Sequence, residues 1–573
     1  MKKIELLQLY TEEGEKLKNG GDLAYHTVYP RPQMVRDSFF SLNGEWEFAA
    51  NGGKNSEWES ITVPFAPESI LSGIGRSMGL RAFMQYRKRF TLPDGFLKKR
   101  VLLHFGAVDQ CAAVKINGET VDTHEGGYLP FELDITETLK DGENEIEVMV
   151  TDDMTDKSFP YGKQRYNRGG MWYTPISGIW QSVWLESVPE QYIKSLRITP
   201  TTTGAIIKTD GVTDGELTVT TPDGEENFTV ENGEVAVNPR NIRYWSPEDP
   251  YLYRFTLKAG EDEIRSYFAI RTVETKTVDG IPRICLNGSP IFLHALLDQG
   301  YYSDGIYTPA SPVCYEQDIL TAKKLGFNTL RKHIKIEPEL FYYYCDLHGV
   351  IVMQDMVNNG SYSFFRDTLL PTLFMKSFPD KLLNRNDKVR DFFFKQMKDT
   401  VKTLYNHPCI CYWTMFNEGW GQFDSTVAYR FMKTLDTTRT IDTASGWYHP
   451  KESEVESVHC YFKPFRLKKG KNLPTVLSEF GGYSCQITDH TVNLAKSYGY
   501  KAFNTAEEFE NALITLYENE IIPAVKDGLC GAVLTQITDV EDEINGLITY
   551  DRKVTKVSEK RMNEIAKKLY STR

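Results

Sequence analysis

The sequence predicts three folded bodies in a row: a β jelly-roll sandwich over residues 1–188, an immunoglobulin-like β-sandwich over 189–276, and a C-terminal (β/α)8 barrel over 277–573. Three observations predict this. At 573 residues the chain exceeds what one hydrophobic core organises. Its first half reads as short β-rich runs separated by Gly, Asp, Asn and Pro turns, and its second half alternates short apolar runs with longer helical patterns.

The first body rests on runs such as GEWEFAA, QYRKRFTL, RVLLHFGA, AAVKINGE and NEIEVMVTD within residues 39–186, an antiparallel sandwich pattern. The second rests on SLRITPTT, GELTVTTPDG and LYRFTLKAG within residues 191–275, a stretch of immunoglobulin-like size with no helical period in it. In the third, eight strands are expected at PIFLHAL, FNTLRKHI, VIVMQDM, CICYWTMFNE, TIDTAS, ESVHCYF, PTVLSEF and GAVLTQIT. Eight strands within about 300 residues fit a (β/α)8 barrel.

Composition narrows the function. Hydrophobic residues at 41% and charged residues at 25% are ordinary globular values. A formal charge of -12 argues against nucleic acid and anionic membrane surfaces as partners. No apolar run approaches the roughly 18 residues that span a bilayer, and the opening MKKIELLQLYTEEGEKL turns acidic, so a cytoplasmic protein is expected. Nine cysteines, odd in number and without zinc-finger spacing, read as reduced buried thiols; neither a metal nor a cofactor is expected.

A barrel places its active site at the C-terminal ends of its strands, where side chains converge. Polar residues collect there: Arg331 and His333 end the second run, Asp355 the third, Asn417 and Glu418 the fourth, Tyr461 the sixth and Glu479 the seventh, and Trp447 follows the fifth. Strict alternation would send Asn417 and Glu418 to opposite faces, so joint use requires a bulge or the end of pairing, which Gly419 and Gly421 make cheap.

One strand-end glutamate is as readily a structural ion-pair member as a catalyst. Two over one barrel mouth match the needs of glycoside hydrolysis, in which one carboxyl protonates the leaving oxygen and the other attacks the anomeric carbon or activates water. Arg331 is the cation expected to keep Glu479 ionised, as nucleophile. Glu418, flanked by Phe416 and Trp420 and facing a second carboxylate, is expected to have a raised pKa, as acid/base. His333 is two residues from Arg331 and so on the same strand face; it reads as a hydrogen-bonded pocket residue, since no partner lies at metal-ligand spacing. Asp355 reads either as a sugar ligand or as a scaffold group behind one.

With these residues the C-terminal half resembles glycoside hydrolase family 2, and the order of bodies extends the resemblance over most of the chain. Asn406-His407-Pro408 followed by the apolar run and Asn417-Glu418 is similar to that family's acid/base signature, Ser478-Glu479-Phe480-Gly481 to its nucleophile strand, and residues 328–331 to its second strand. The resemblance implies that Asn417 contacts the sugar 2-hydroxyl, that Arg331 supports the nucleophile and that Tyr461 hydrogen-bonds it. It also implies that a first-domain loop near 168–173 edges the pocket.

The chain departs from the family in places. His333 follows Arg331 by two residues where many members have three, and the eighth strand lacks a tryptophan, for which Trp447 is the substitute expected to stack on sugar. The Asn-x-Lys pair of the family's glucuronidases is missing from DEINGLITYDRK, where Asp542 and Glu543 would repel an acidic sugar.

The expectation is a retaining exo-β-glycosidase for a terminal neutral sugar, β-galactosidase-like in the first instance. β-Glucuronidase, β-mannosidase, arabinosidase and transglycosylase activity, or noncatalytic carbohydrate binding, are the alternatives. The long connection over 357–386 shapes the leaving-group side, and its Phe364, Phe365 and Phe374 either pack it down or meet a second subunit, so a homo-oligomer stays open.

Overall fold

Alternation of apolar side chains builds the first body. Arg81–Thr91 and Glu143–Asp153 pair antiparallel along 11 residues each, with every second side chain turned inward over much of their length. They form the middle of a six-stranded antiparallel sheet whose spatial order is Glu59–Val63, Gly44–Ala50, Arg81–Thr91, Glu143–Asp153, Cys111–Ile116 and Glu119–Glu125. A four-stranded sheet of Phe39–Ser41, Val183–Val188, Arg100–Phe105 and Phe131–Asp134 shares its core, in which Trp46, Met84, Val148, Leu103 and Leu185 meet. The computed structural model describes residues 7–50, 57–369, 380–446, 450–468, 470 and 472–572.

The second body is a seven-stranded sandwich. Three strands (Ser195–Pro200, Ala205–Asp210, Glu234–Val237) and four (Gly215–Thr221, Gly224–Val230, Tyr253–Ala259, Asp262–Phe268) enclose a separate core. An antiparallel ribbon over Val273–Val278, Ile281–Leu286 and Ser289–Pro290 then leads into the barrel.

All eight expected runs form one parallel sheet: Leu293–Asp298, Thr329–Lys332, Ile351–Asp355, Ile410–Asn417, Thr440–Ser445, Glu456–Cys460, Thr475–Gly481 and Leu529–Thr535. The first strand pairs with both the second and the eighth, and the fifth and sixth stand at the two ends of the hydrogen-bonded order. Most of these strands are buried throughout, as a sheet covered on both sides must be. Helices cover the outside, among them Val313–Lys324, Glu339–His348, Asp387–Leu404, Ser425–Leu435 and Glu559–Thr572. Among the described residues, no helix is long and apolar enough to cross a membrane.

The second sandwich is hydrogen-bonded to the barrel through the segment before the fourth strand. Asn406 accepts from Ile198 N–H at 2.8 Å and donates to Leu196 O at 3.0 Å, while His407 Nδ1 lies 2.7 Å from Asp346, which also accepts from Tyr267 at 2.7 Å. The buried Arg271 guanidinium donates to the carbonyls of Pro408, Ile410 and Thr438 at 2.9, 2.9 and 3.1 Å. The Asn-His-Pro motif, read in the sequence beside the acid/base, is therefore built into a domain junction.

Candidate active site

The fourth strand ends at Asn417, and the next residue leaves the β region: Glu418 has φ 52, followed by Gly419 at φ 80. A left-handed residue other than glycine costs about 1 to 2 kcal/mol. It resolves the alternation problem by bringing the amide and the neighbouring carboxyl to one mouth. The Glu418 N–H donates to Ser445 O at 3.0 Å, extending the pairing to the fifth strand past the last strand residue.

Arg331 is fully buried and holds the floor together. Its Nη1 donates to Glu479 Oε1 at 3.1 Å and to Ser478 O at 3.0 Å, and its Nη2 to Asn417 Oδ1 at 2.9 Å and Ser445 Oγ at 3.0 Å. Its Nε and Nη2 meet the two Asp355 oxygens at 3.1 and 3.0 Å. One planar guanidinium thus connects strand ends two, three, four, five and seven, a fork geometry that lysine cannot reproduce.

Asp355 is fully engaged, because its Oδ2 also meets His333 Nδ1 at 2.8 Å. Burial works to raise its pKa, but the Arg331 charge and the His333 hydrogen bond hold it below the usual carboxylate value. An ionised Asp355 places the His333 hydrogen on Nδ1 and leaves Nε2 as an acceptor. Asn417 Oδ1 is taken by Arg331 and by Ser445 Oγ at 2.8 Å, so its amide nitrogen remains as a donor.

Tyr461 follows the sixth strand, donates to Glu479 Oε2 at 2.6 Å, sits 2.8 Å from Thr535 Oγ1 and stacks on Tyr500 with centroids 3.9 Å apart. Burial, then the nearby Glu479 charge, push its phenol well above its ordinary value, so it remains a donor. For Glu479, burial again favours the neutral form, but His459 and Arg331 outweigh it and hold the carboxyl well below the usual range.

His459 was not singled out in the sequence. Its Nδ1 is 2.8 Å from Glu418 Oε1 and 3.4 Å from Glu479 Oε2, between the two carboxylates. The signal was available: His459 is two residues before Tyr461, the same spacing that puts His333 beside Arg331. Gly446, at φ 90, makes room for it, since a Cβ there would come within 3.1 Å of both Glu418 Cγ and His459 Nδ1.

The aromatic residues two positions before and after Glu418 each stack on another ring. Phe416 stacks on Phe393 in the core, with centroids 4.9 Å apart, and Trp420 stacks on Trp172 at 5.0 Å.

The first sandwich forms one wall. Tyr161 donates through its N–H to Asn358 O at 3.1 Å and through its hydroxyl to Gly360 O at 2.8 Å, and Arg168 meets Glu541 at 2.9 Å and Asp542 at 3.2 Å. Trp172, Trp420 and Tyr362 make one aromatic cluster. Phe364 and Phe365 are exposed on the long connection, and Phe374 and Trp447 lie outside the described residues.

Among the described residues, Glu418, His459 and Glu479 also form the one group whose donor atoms, all within 4.8 Å of one another, could surround a cation. An ion there would displace the hydrogen bond that His459 Nδ1 makes to Glu418.

Three family models match the chain in order: a sugar binding domain of glycosyl hydrolases family 2 over residues 78–189, a second domain of that family over 192–271, and its TIM barrel domain over 310–556. The chain belongs to glycosyl hydrolases family 2. This family-2 chain is 26% identical to a β-galactosidase of Thermoanaerobacter pseudethanolicus over 73% of its length and 56% of the relative's, so it spans little more than half of that protein. It is 24% identical to a β-glucuronidase of Paenibacillus borealis over 75% of its own length and 76% of that relative's. The solved β-D-glucuronidase of Dictyoglomus thermophilum superposes with a TM-score of 0.71 at 19% identity, covering 94% of this chain and 98% of that one, a likeness of fold.

Proposed function

We propose that this family-2 protein is a retaining exo-β-glycosidase with Glu479 as nucleophile and Glu418 as acid/base. The observation that carries the reading is the approach of the two carboxylates, whose donor oxygens lie within 4.8 Å. Retaining enzymes separate these groups by about 5 to 5.5 Å, and inverting ones by about 6.5 to 9.5 Å to admit a water.

The asymmetry of the surroundings supports the assignment of roles. Arg331 and Tyr461 both bond Glu479, favouring the ionised form that attacks the anomeric carbon, whereas Glu418 bonds His459. In the first step the Glu479 carboxylate forms the glycosyl ester as Glu418 passes its proton to the leaving oxygen. In the second, Glu418 takes a proton from water, whose oxygen displaces Glu479 and restores both groups. Asn417, His333 and Arg331 would orient the sugar and the nucleophile, and the first-sandwich wall, closing one side of the mouth, supports the exo mode.

For the sugar, the missing Asn-x-Lys pair supports a neutral, β-galactoside-like substrate, while a buried lysine from the first sandwich supports an acidic one.

The test is a nitrophenyl glycoside panel with the parent protein and Glu479→Ala, together with mass spectrometry after exposure to 2-fluoro glycosides. Turnover on at least one β-glycoside, a covalent adduct on Glu479 and a loss of roughly 10⁴-fold or more in the variant are expected. Unchanged turnover by Glu479→Ala would remove the nucleophile assignment.

A further inference from the structure

Four lysines are buried among the described residues, and three of them are paired with carboxylates. Lys332 meets Asp298 at 2.7 Å and Glu337 at 2.8 Å, Lys335 meets Glu337 at 2.9 Å, and Lys556 meets Asp539 at 2.7 Å. Lys163 retains 7% exposure, yet among the described residues its ammonium has no ion pair and no hydrogen bond. It lies in the first-sandwich segment that crosses to the barrel mouth. Its ammonium stands 5.4 Å from the ring centroid of Tyr173 and 6.0 Å from that of Trp420, two residues beyond Glu418.

Lys163 is also close to the floor of the site. Burial lowers the pKa of His333 against its bond to Asp355, and the charge of Lys163 adds to the lowering. Most of the Lys163 side chain is buried, but its unpaired ammonium is not among the buried polar atoms and so stays open to a bound anion, with aromatic faces beside it.

The acidic side chains around the mouth are occupied by other partners. Asp355 is held by Arg331 and His333, Glu541 and Asp542 by Arg168, and Glu543 by the Tyr173 hydroxyl and Asn545. Arg165, two residues along, is a second cation without an acidic partner among the described residues, its guanidinium 3.6 Å from the Trp172 centroid. Two uncompensated cations thus flank the Trp172 and Trp420 pair at the sugar site of a chain whose net charge is -12.

We propose that Lys163 recognises an anionic group on the substrate, the carboxylate of a hexuronide or a sulfate ester, and so makes this site selective for acidic glycosides. The proposal rests on the glycosidase reading above. The neutral-sugar expectation came from one loop, the one after the eighth strand, whereas this cation is supplied across a domain boundary. The Asp542 carboxylate expected to repel an acidic sugar is neutralised by Arg168 and hydrogen-bonded to Asn493 at 2.8 Å.

The test compares kcat/KM of the full chain on matched nitrophenyl pairs: β-galacturonide against β-galactoside, β-glucuronide against β-glucoside, and a 6-sulfated β-galactoside against the unsulfated one. At least one acidic member should exceed its neutral partner, and which pair does so separates carboxylate from sulfate. Lys163→Gln should lower that acidic-to-neutral ratio by roughly 10²-fold or more, and Lys163→Arg should retain most of it. Preference for the neutral member in every pair, or an unchanged ratio in Lys163→Gln, overturns the proposal and leaves the glycosidase reading standing. Hydrolysis of none of these members while another β-glycoside is hydrolysed overturns the proposal alone; hydrolysis of no β-glycoside at all overturns both.

Discussion

At the scale of single residues, the site is a balance of buried charges. Arg331 serves two carboxylates at once, and Asp442, on the fifth strand, accepts from Tyr412 at 3.0 Å and has Ser457 beside it. Burial pushes the Asp442 carboxyl up to about 6, with the Ser457 hydrogen bond and then the Arg331 charge opposing. A raised carboxyl binds its proton more tightly in the folded state. Its contribution is therefore favourable at low pH and is lost as pH rises from the unfolded value near 4 through about 6. Asp442→Asn keeps an acceptor for Tyr412 and cannot ionise. Its stability relative to the parent, followed by denaturant unfolding, is expected to grow by about 2 kcal/mol between pH 4 and 7 and then level off. A difference independent of pH would show that Asp442 ionises normally.

At the scale of elements, strand ends deliver the chemistry and the turns aim it. The eight barrel strands were legible because each is a short apolar run bounded by turn residues, and a strand covered on both faces must be apolar. The place of His459 on the sixth-strand face was legible too, but its pairing with Glu418 was not, because strand periodicity stops at Asn417 and φ 52 at the next residue redirects the side chain toward His459. The Asn406-His407-Pro408 segment shows the reverse case: its place in the chain suggests the active site, but Asn406 bonds two backbone groups of the second sandwich. Asn406→Ala leaves those groups unmatched and is expected to cost about 1 to 3 kcal/mol of stability, seen as a lower thermal midpoint. Activity per folded molecule should change little; a specific loss of kcat would tie the junction to catalysis.

At the scale of the whole molecule, the mouth is incomplete within the barrel. Trp172, Lys163 and Arg168 reach it from the first sandwich, and the Trp172 ring lies 5.0 Å from that of Trp420. A fragment beginning at residue 277 would lose that wall, lose Arg271 from the carbonyls of Pro408 and Ile410, and leave Asn406 without its partners Leu196 and Ile198. It is expected to be inactive on every glycoside that the full chain hydrolyses, and a fragment with full kcat/KM would show the wall to be dispensable.

The sequence alone determined the two sandwiches, the eight-stranded barrel and the strand ends at which Arg331, Asp355, Asn417, Glu418, Tyr461 and Glu479 stand, because burial periodicity and turn chemistry are local properties. Only the tertiary structure decided which of these groups touch, that His459 lies between the two glutamates, and that a lysine more than 250 residues before Glu418 faces the same site. Such contacts depend on how whole domains dock, and the docking of distant surfaces leaves no period in the chain.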